Sequence, residues 1–166
     1  MSKNGGFTLI ELLVAISIIA ILSVIGFISY QTVLRQGRDA KRQSDLKTIQ
    51  SALEQYHNDQ SNYSLFNGGT CSAGKVAFNT TSPCNLTDPV GAKTYMNRVP
   101  VDPLSSNSQY LYVPYNSSSG VGCDNDITIC NGYCLYANLE NPTGISNPTN
   151  CASPLPAGYN LAVTAP

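Results

Sequence analysis

Six cysteines, a single histidine and one glutamate inside an apolar run are the residues of this 166-residue chain whose chemistry needs explaining. Cys71, Cys84, Cys123, Cys130, Cys134 and Cys151 all lie in the polar part of the chain, after Gln60. An even number of cysteines in a loop-rich region points to disulfides formed outside the cytoplasm. A zinc site would need paired knuckles, and only Cys130 and Cys134 have such spacing, with His57 far away. Cys71 and Cys84 read as a local loop-closing pair. For the other four, Cys123–Cys130 with Cys134–Cys151 and Cys123–Cys134 with Cys130–Cys151 are both open. There is no G-x-S-x-G, no phosphate-cradling glycine loop and no H-E-x-x-H. Nucleophilic, phosphoryl-transfer and metalloprotease chemistry therefore have no motif to stand on.

The glutamate is Glu11. It heads a stretch, Leu12 to Leu34, of 23 residues without Asp, Glu, Lys, Arg or His. As a helix this stretch covers roughly 35 Å, enough for a hydrocarbon core of about 30 Å. A carboxylate at such depth costs about 2.5–3.5 kcal/mol on insertion scales, so a specific use for it is expected. A cleaved secretory signal would put small residues after its apolar core. Here Gly5 and Gly6 precede it, so the segment reads as retained.

The helical pattern continues from Arg35 to Asp59 without a proline. Leu46, Ile49, Leu53 and Tyr56 follow a 3-4-3 spacing, one apolar stripe that faces a core. Between Arg35 and Asp45 the stripe is missing, so residues 35–45 read as an exposed, self-paired polar neck. A folded domain is then expected to pack on the helix only from about Leu46, and "NDQSN" at 58–62 supplies a stop. The net charge of −1 makes no global electrostatic case for nucleic acid.

Beyond residue 62, short apolar runs alternate with turn chemistry. "QYLYVPY" reads as a strand ended by Pro114, and "AGYNLAVTAP" as a last strand. "DITIC" and "YCLYANLE" flank Asn131-Gly132, a two-residue hairpin signal. In that hairpin Cys130 and Cys134 would point to opposite faces and could not bond each other. The fold class expected is α+β: a long N-terminal helix whose second half packs against an antiparallel sheet of two to four strands.

"GG" followed at once by "FTLIELLVAISIIAIL" resembles the amino terminus of type IV pilins and of the pseudopilins of type II secretion. The resemblance implies that residues 1–6 are a cytoplasmic leader, cut after Gly6 by a prepilin peptidase that then N-methylates Phe7. It implies that Glu11 and the new amine of Phe7 act in assembly, and that residues 7–34 span the membrane and form the filament core. Residues 35–60 then continue the helix amphipathically, and residues 61–166 form an exported, disulfide-containing β domain. The partners implied are identical or related subunits, the peptidase and an inner-membrane assembly platform.

"VPVDPLSSNSQYLY" and "YCLYANLEN" look like the strand-and-loop region of major pseudopilins, where a loop binds calcium. The candidate ligands here are Asp124, Asn125 and Asp126 in "CDND", oxygen donors suited to a hard cation. No other cofactor is implied. Many pilins break the membrane helix with a proline, whereas this chain has Ile28 there, with Gly26 and Gly37 as its helix glycines. Lys3 is the only cation before the span and five follow within fifteen residues, a bias toward a cytoplasmic domain. The cysteines and the cleavage motif outweigh it and place the domain outside. The function implied is a non-enzymatic subunit of a secretion pseudopilus, with a type IV or DNA-uptake pilus as the alternative. A tethered binding domain or enzyme that never polymerises is the rival class, and in it Glu11 would be freely replaceable.

Overall fold

The computed structural model describes residues 6–63, 76–78, 84–88, 93–104, 108–117, 123, 129–144, 147–151 and 155–166. The chain divides into two compact units, the first ending at Gly37 and the second running from Arg38 to Pro166. Helix α1 (Leu9–Gln60) is 52 residues long and contributes to both. Its N-terminal part meets the length and hydropathy of a membrane span. The described large apolar side chains from Phe7 to Leu34 are exposed, Phe7 at 87% and Ile10 at 71%. The helix ends where "NDQSN" predicts. Ser61 adopts a left-handed φ of 58°, and its N–H donates to the His57 carbonyl at 2.7 Å. This closes the last turn in the manner usually served by glycine.

In the second unit, strands β1 (Val76–Phe78), β4 (Tyr110–Tyr115), β5 (Gly132–Ala137) and β6 (Leu161–Thr164) form an antiparallel sheet in the order β1-β4-β5-β6. Strands β2 (Leu86–Thr87) and β3 (Thr94–Met96) make a separate antiparallel pair. Alternation along the strands sorts the side chains into two clusters. Tyr110, Tyr112, Tyr133, Leu135 and Ala137 join Leu46, Ile49, Leu53 and Tyr56 in the main core. Leu111, Cys134, Tyr136 and Ala162 face the other way, packed with Cys151, Leu155 and Tyr159. The helical stripe is therefore core, as its period predicts, and each fully buried Leu or Ile in it contributes about 1.5–3 kcal/mol.

The strand readings over "QYLYVPY", "YCLYANLE" and "AGYNLAVTAP" correspond to β4, β5 and β6. Pro114 does not end β4, because β1 pairs only with Tyr110 to Tyr112. By residue 114 the strand is an edge on that side among the described residues, where a missing N–H is tolerated.

The Asn131-Gly132 hairpin is not formed. Both edges of β5 are already occupied, by β4 and β6, and Gly132 begins the strand opposite Tyr115. The glycine serves a close approach instead of a turn. A Cβ on it would lie 2.6 Å from Cζ of the Tyr115 ring. Gly132→Ala is expected to displace that ring and cost about 1–3 kcal/mol in thermal unfolding.

The outer edge of β6 carries side-chain caps. The Ala162 N–H donates to Asn147 Oδ1 at 2.8 Å, and Gln50 Nε2 donates to the Thr164 carbonyl at 2.9 Å.

Candidate functional site

The start of α1 answers part of the question that Glu11 poses. Thr8 is the N-cap and Glu11 the third helical residue. The Thr8 N–H donates to Glu11 Oε2 at 2.9 Å and the Thr8 hydroxyl donates to the same oxygen at 2.8 Å. In return the Glu11 N–H donates to Thr8 Oγ1 at 3.3 Å. This is a reciprocal capping box, which satisfies donors that every helix start leaves without partners. The negative carboxylate also suits the positive end of the helix dipole. The T-x-x-E spacing was legible in the sequence, although Thr8 did not figure among the expected site residues. Gly6 and Phe7 precede the helix, and a Cβ on Gly6 would meet nothing within 4 Å. Among the described residues, no packing demands a glycine there.

The neck is exposed at 35–37, 40, 41, 43 and 44, as its polarity predicts, but one face of it is not. Asp39, Arg42 and Asp45 are buried, Arg42 to 1% exposure, on the same helix face as Leu46 and Ile49. The apolar stripe does not stop at Leu46; it becomes charged. Arg42 Nε and Nη2 donate to the two oxygens of Asp102, at 2.7 and 3.1 Å. Its Nη1 donates to Asp39 at 2.7 Å and to Glu140 at 3.1 Å. Arg38 grips Glu140 with a second fork, both bonds 2.6 Å. Asp39 also accepts the backbone N–H groups of Glu140 and Asn141, each at 2.9 Å. Asp45 accepts from Tyr110 and Lys41. Buried charges persist only when paired in this way.

The cluster sets the acid response. Burial alone would lower the Arg42 pKa, but its bonds to Asp102, Asp39 and Glu140 raise it instead. At Asp102 burial pushes upward and is outweighed by Arg42 and the Leu104 N–H, so the carboxyl sits below its ordinary range. The bond from Arg38, followed by that from Arg42, holds Glu140 at about 2, down from 4.5. A depressed carboxyl contributes stability above its unfolded pKa and loses it as pH falls through the folded value. Stability is thus expected to drop between pH 4.5 and about 2. In denaturant titrations across that window, Glu140→Gln should remove about 1–2 kcal/mol of the drop, after allowance for partial exposure.

Among the cysteines, Cys123 bonds Cys130 and Cys134 bonds Cys151, one of the two pairings left open. Cys84 is disulfide-bonded, and Cys71 lies outside the described residues. The Cys134–Cys151 bond spans 17 residues and fastens the 147–151 loop to the outward face of β5. Replacing both cysteines with Ser should cost about 3 kcal/mol, read as a lower denaturation midpoint. Asp124, Asn125 and Asp126 lie outside the described residues, so the calcium expectation has no geometry. Among the described residues no cluster of three metal-ligating side chains occurs. His57 stacks on Tyr63, ring centroids 4.5 Å apart, at the helix end.

Residues 1–27 match the family model for the prokaryotic N-terminal methylation motif. The chain is 32% identical to type II secretion system core protein G of Klebsiella pneumoniae, over 67% of its own length and 76% of that protein's. It is 28% identical to the protein of the same description in Pseudomonas aeruginosa, over 66% and 74% of the two lengths. Fimbrial protein Q of Moraxella bovis is 32% identical over 52% of this chain and 50% of its own. No solved structure matches significantly. A methylation motif ahead of an apolar helix, with 32% identity to core protein G over 76% of that protein's length, makes this chain a member of the type IV pilin and type II secretion pseudopilin family.

Proposed function

We propose that the chain is the major subunit of a pseudopilus that supports type II protein secretion. The observation that carries this reading is the long apolar helix whose described large side chains are exposed, headed by a capped carboxylate. Such a helix needs a bilayer, or the helices of its own kind. A structural subunit uses both in turn, stored in the membrane and then bundled in a filament. Cleavage at Gly6–Phe7 on the cytoplasmic side frees an amine on Phe7. The Glu11 carboxylate, with Thr8 bound to one oxygen, keeps the other for the amine of a neighbour. The β domain lies outside the cytoplasmic membrane, where its cysteines oxidise. Prepilin peptidase and an inner-membrane assembly platform are the partners. The likeness to a fimbrial protein supports a type IV pilus as the second reading.

The test is expression of the full chain with a prepilin peptidase, intact-mass analysis and recovery of sheared filaments. A subunit that begins at methylated Phe7 and appears in filaments is expected. A subunit that retains Met1 to Gly6, or never leaves the membrane fraction, would overturn the proposal.

A further inference from the structure

The apolar stripe on α1 leaves one question to the charged cluster beside it. Leu46, Ile49, Leu53 and Tyr56 recur every three or four residues, so a slide of one turn, about 5.4 Å, brings similar side chains to similar places. Apolar burial is non-directional and separates two such registers poorly. A guanidinium forked onto a carboxylate separates them sharply, because its bonds have fixed directions. Two of the three carboxylates that Arg42 bonds are held by the loops as well. Asp102 accepts the Leu104 N–H at 2.7 Å, and Asp39 accepts the Glu140 and Asn141 N–H groups. Asp102 cannot follow the arginine through a one-turn slide, and Asp39, which moves with the arginine on α1, would leave the two loop N–H groups behind.

We propose that Arg42 is a positioning residue, whose guanidinium, held between Asp39 of its own helix and Asp102 and Glu140 of two loops, locks the sheet to one axial register on α1. Glu54, which accepts from Tyr63 and Tyr133 at 3.1–3.2 Å, is only half-buried and makes a weaker, secondary key. The consequence rests on the filament reading. A fixed register gives every subunit the same outer surface at the same height along the helix, which a regular filament requires. The lock itself does not depend on assembly.

The experiment compares amide spectra of the full-length chain in detergent micelles with filament yield in cells. On an Arg38→Met/Glu140→Gln background, which takes away the second fork, Arg42→Met/Asp102→Asn removes the first without orphaning a charge, since Asp39 keeps two backbone donors. The parent should give one set of resonances for residues 132–137 and 161–164. The double variant should give a second set, at about a tenth or more of the main intensity, for a slid register. Its filament yield should fall about tenfold, the effect of roughly 1.4 kcal/mol in assembly. A single set in a folded double variant would overturn the lock. Should the double variant fail to fold, Arg42→Lys decides, because it keeps the charge and cannot fork. Two sets from it support the lock, and one set overturns it. Absence of filaments from the parent would instead count against the functional reading, whatever the spectra show.

Discussion

Glu11→Leu is expected to insert into the membrane and lose its leader normally, yet to yield at least about tenfold fewer filaments. The reason is the Phe7 amine, which would be buried among helices with no carboxylate. An unpaired buried charge costs about 3–5 kcal/mol, more than enough for that loss. The capping box supplies a competing explanation, since Glu11→Leu also removes the carboxylate that accepts the Thr8 N–H and hydroxyl, although the bond to Thr8 Oγ1 from the backbone N–H of residue 11 stays. Glu11→Gln separates the two. A glutamine keeps the capping geometry, because either residue serves at that position. It gives up only the charge. If pairing is the purpose, Gln should fail nearly as badly as Leu, whereas Glu11→Asp, one methylene shorter, should assemble poorly. Wild-type yield from Glu11→Gln would mean that the carboxylate is there to start the helix.

Arg42→Ala should destabilise the second unit by about 3–5 kcal/mol, the largest stability effect expected of any single substitution outside the apolar core. The truncation leaves Asp102 with both oxygens buried and only the loop to bond them. For a unit of this size each kcal/mol moves the melting temperature by a few degrees, so a fall of about 10–15 °C is expected. Differential scanning calorimetry on the full chain in detergent measures it. Lys47→Ala, an exposed cation on the same helix, should shift it by no more than about 2 °C. Equal shifts in the two variants would show that the cluster contributes little.

Much of this is legible in the sequence. The spacing of Gly6, Phe7 and Glu11 ahead of 23 uncharged residues carried the family, and Leu46, Ile49, Leu53 and Tyr56 carried the contact with the sheet. The charged half of that contact was missed for a physical reason. Asp39, Arg42 and Asp45 continue the same face at three-residue intervals, but charge on a helix normally means solvent. Their partners Asp102 and Glu140 stand 60 and 98 residues from Arg42. A local pattern cannot reveal such pairing. The phase of D-x-x-R-x-x-D with the stripe was the available signal. Asn131-Gly132 misled in the opposite way. The dipeptide is a strong local cue for a turn, but the sheet needed that glycine bare to admit the Tyr115 ring.

On the proposed function, the side-chain caps on β6 bear on how a crowded membrane could store these subunits. Stored chains meet one another constantly in two dimensions, and an open strand edge would let neighbouring domains zip together irreversibly. Asn147 and Gln50 occupy the hydrogen-bonding groups through which that would begin. On that reading encounters between waiting subunits are kept unproductive, and growth is left to the site of assembly.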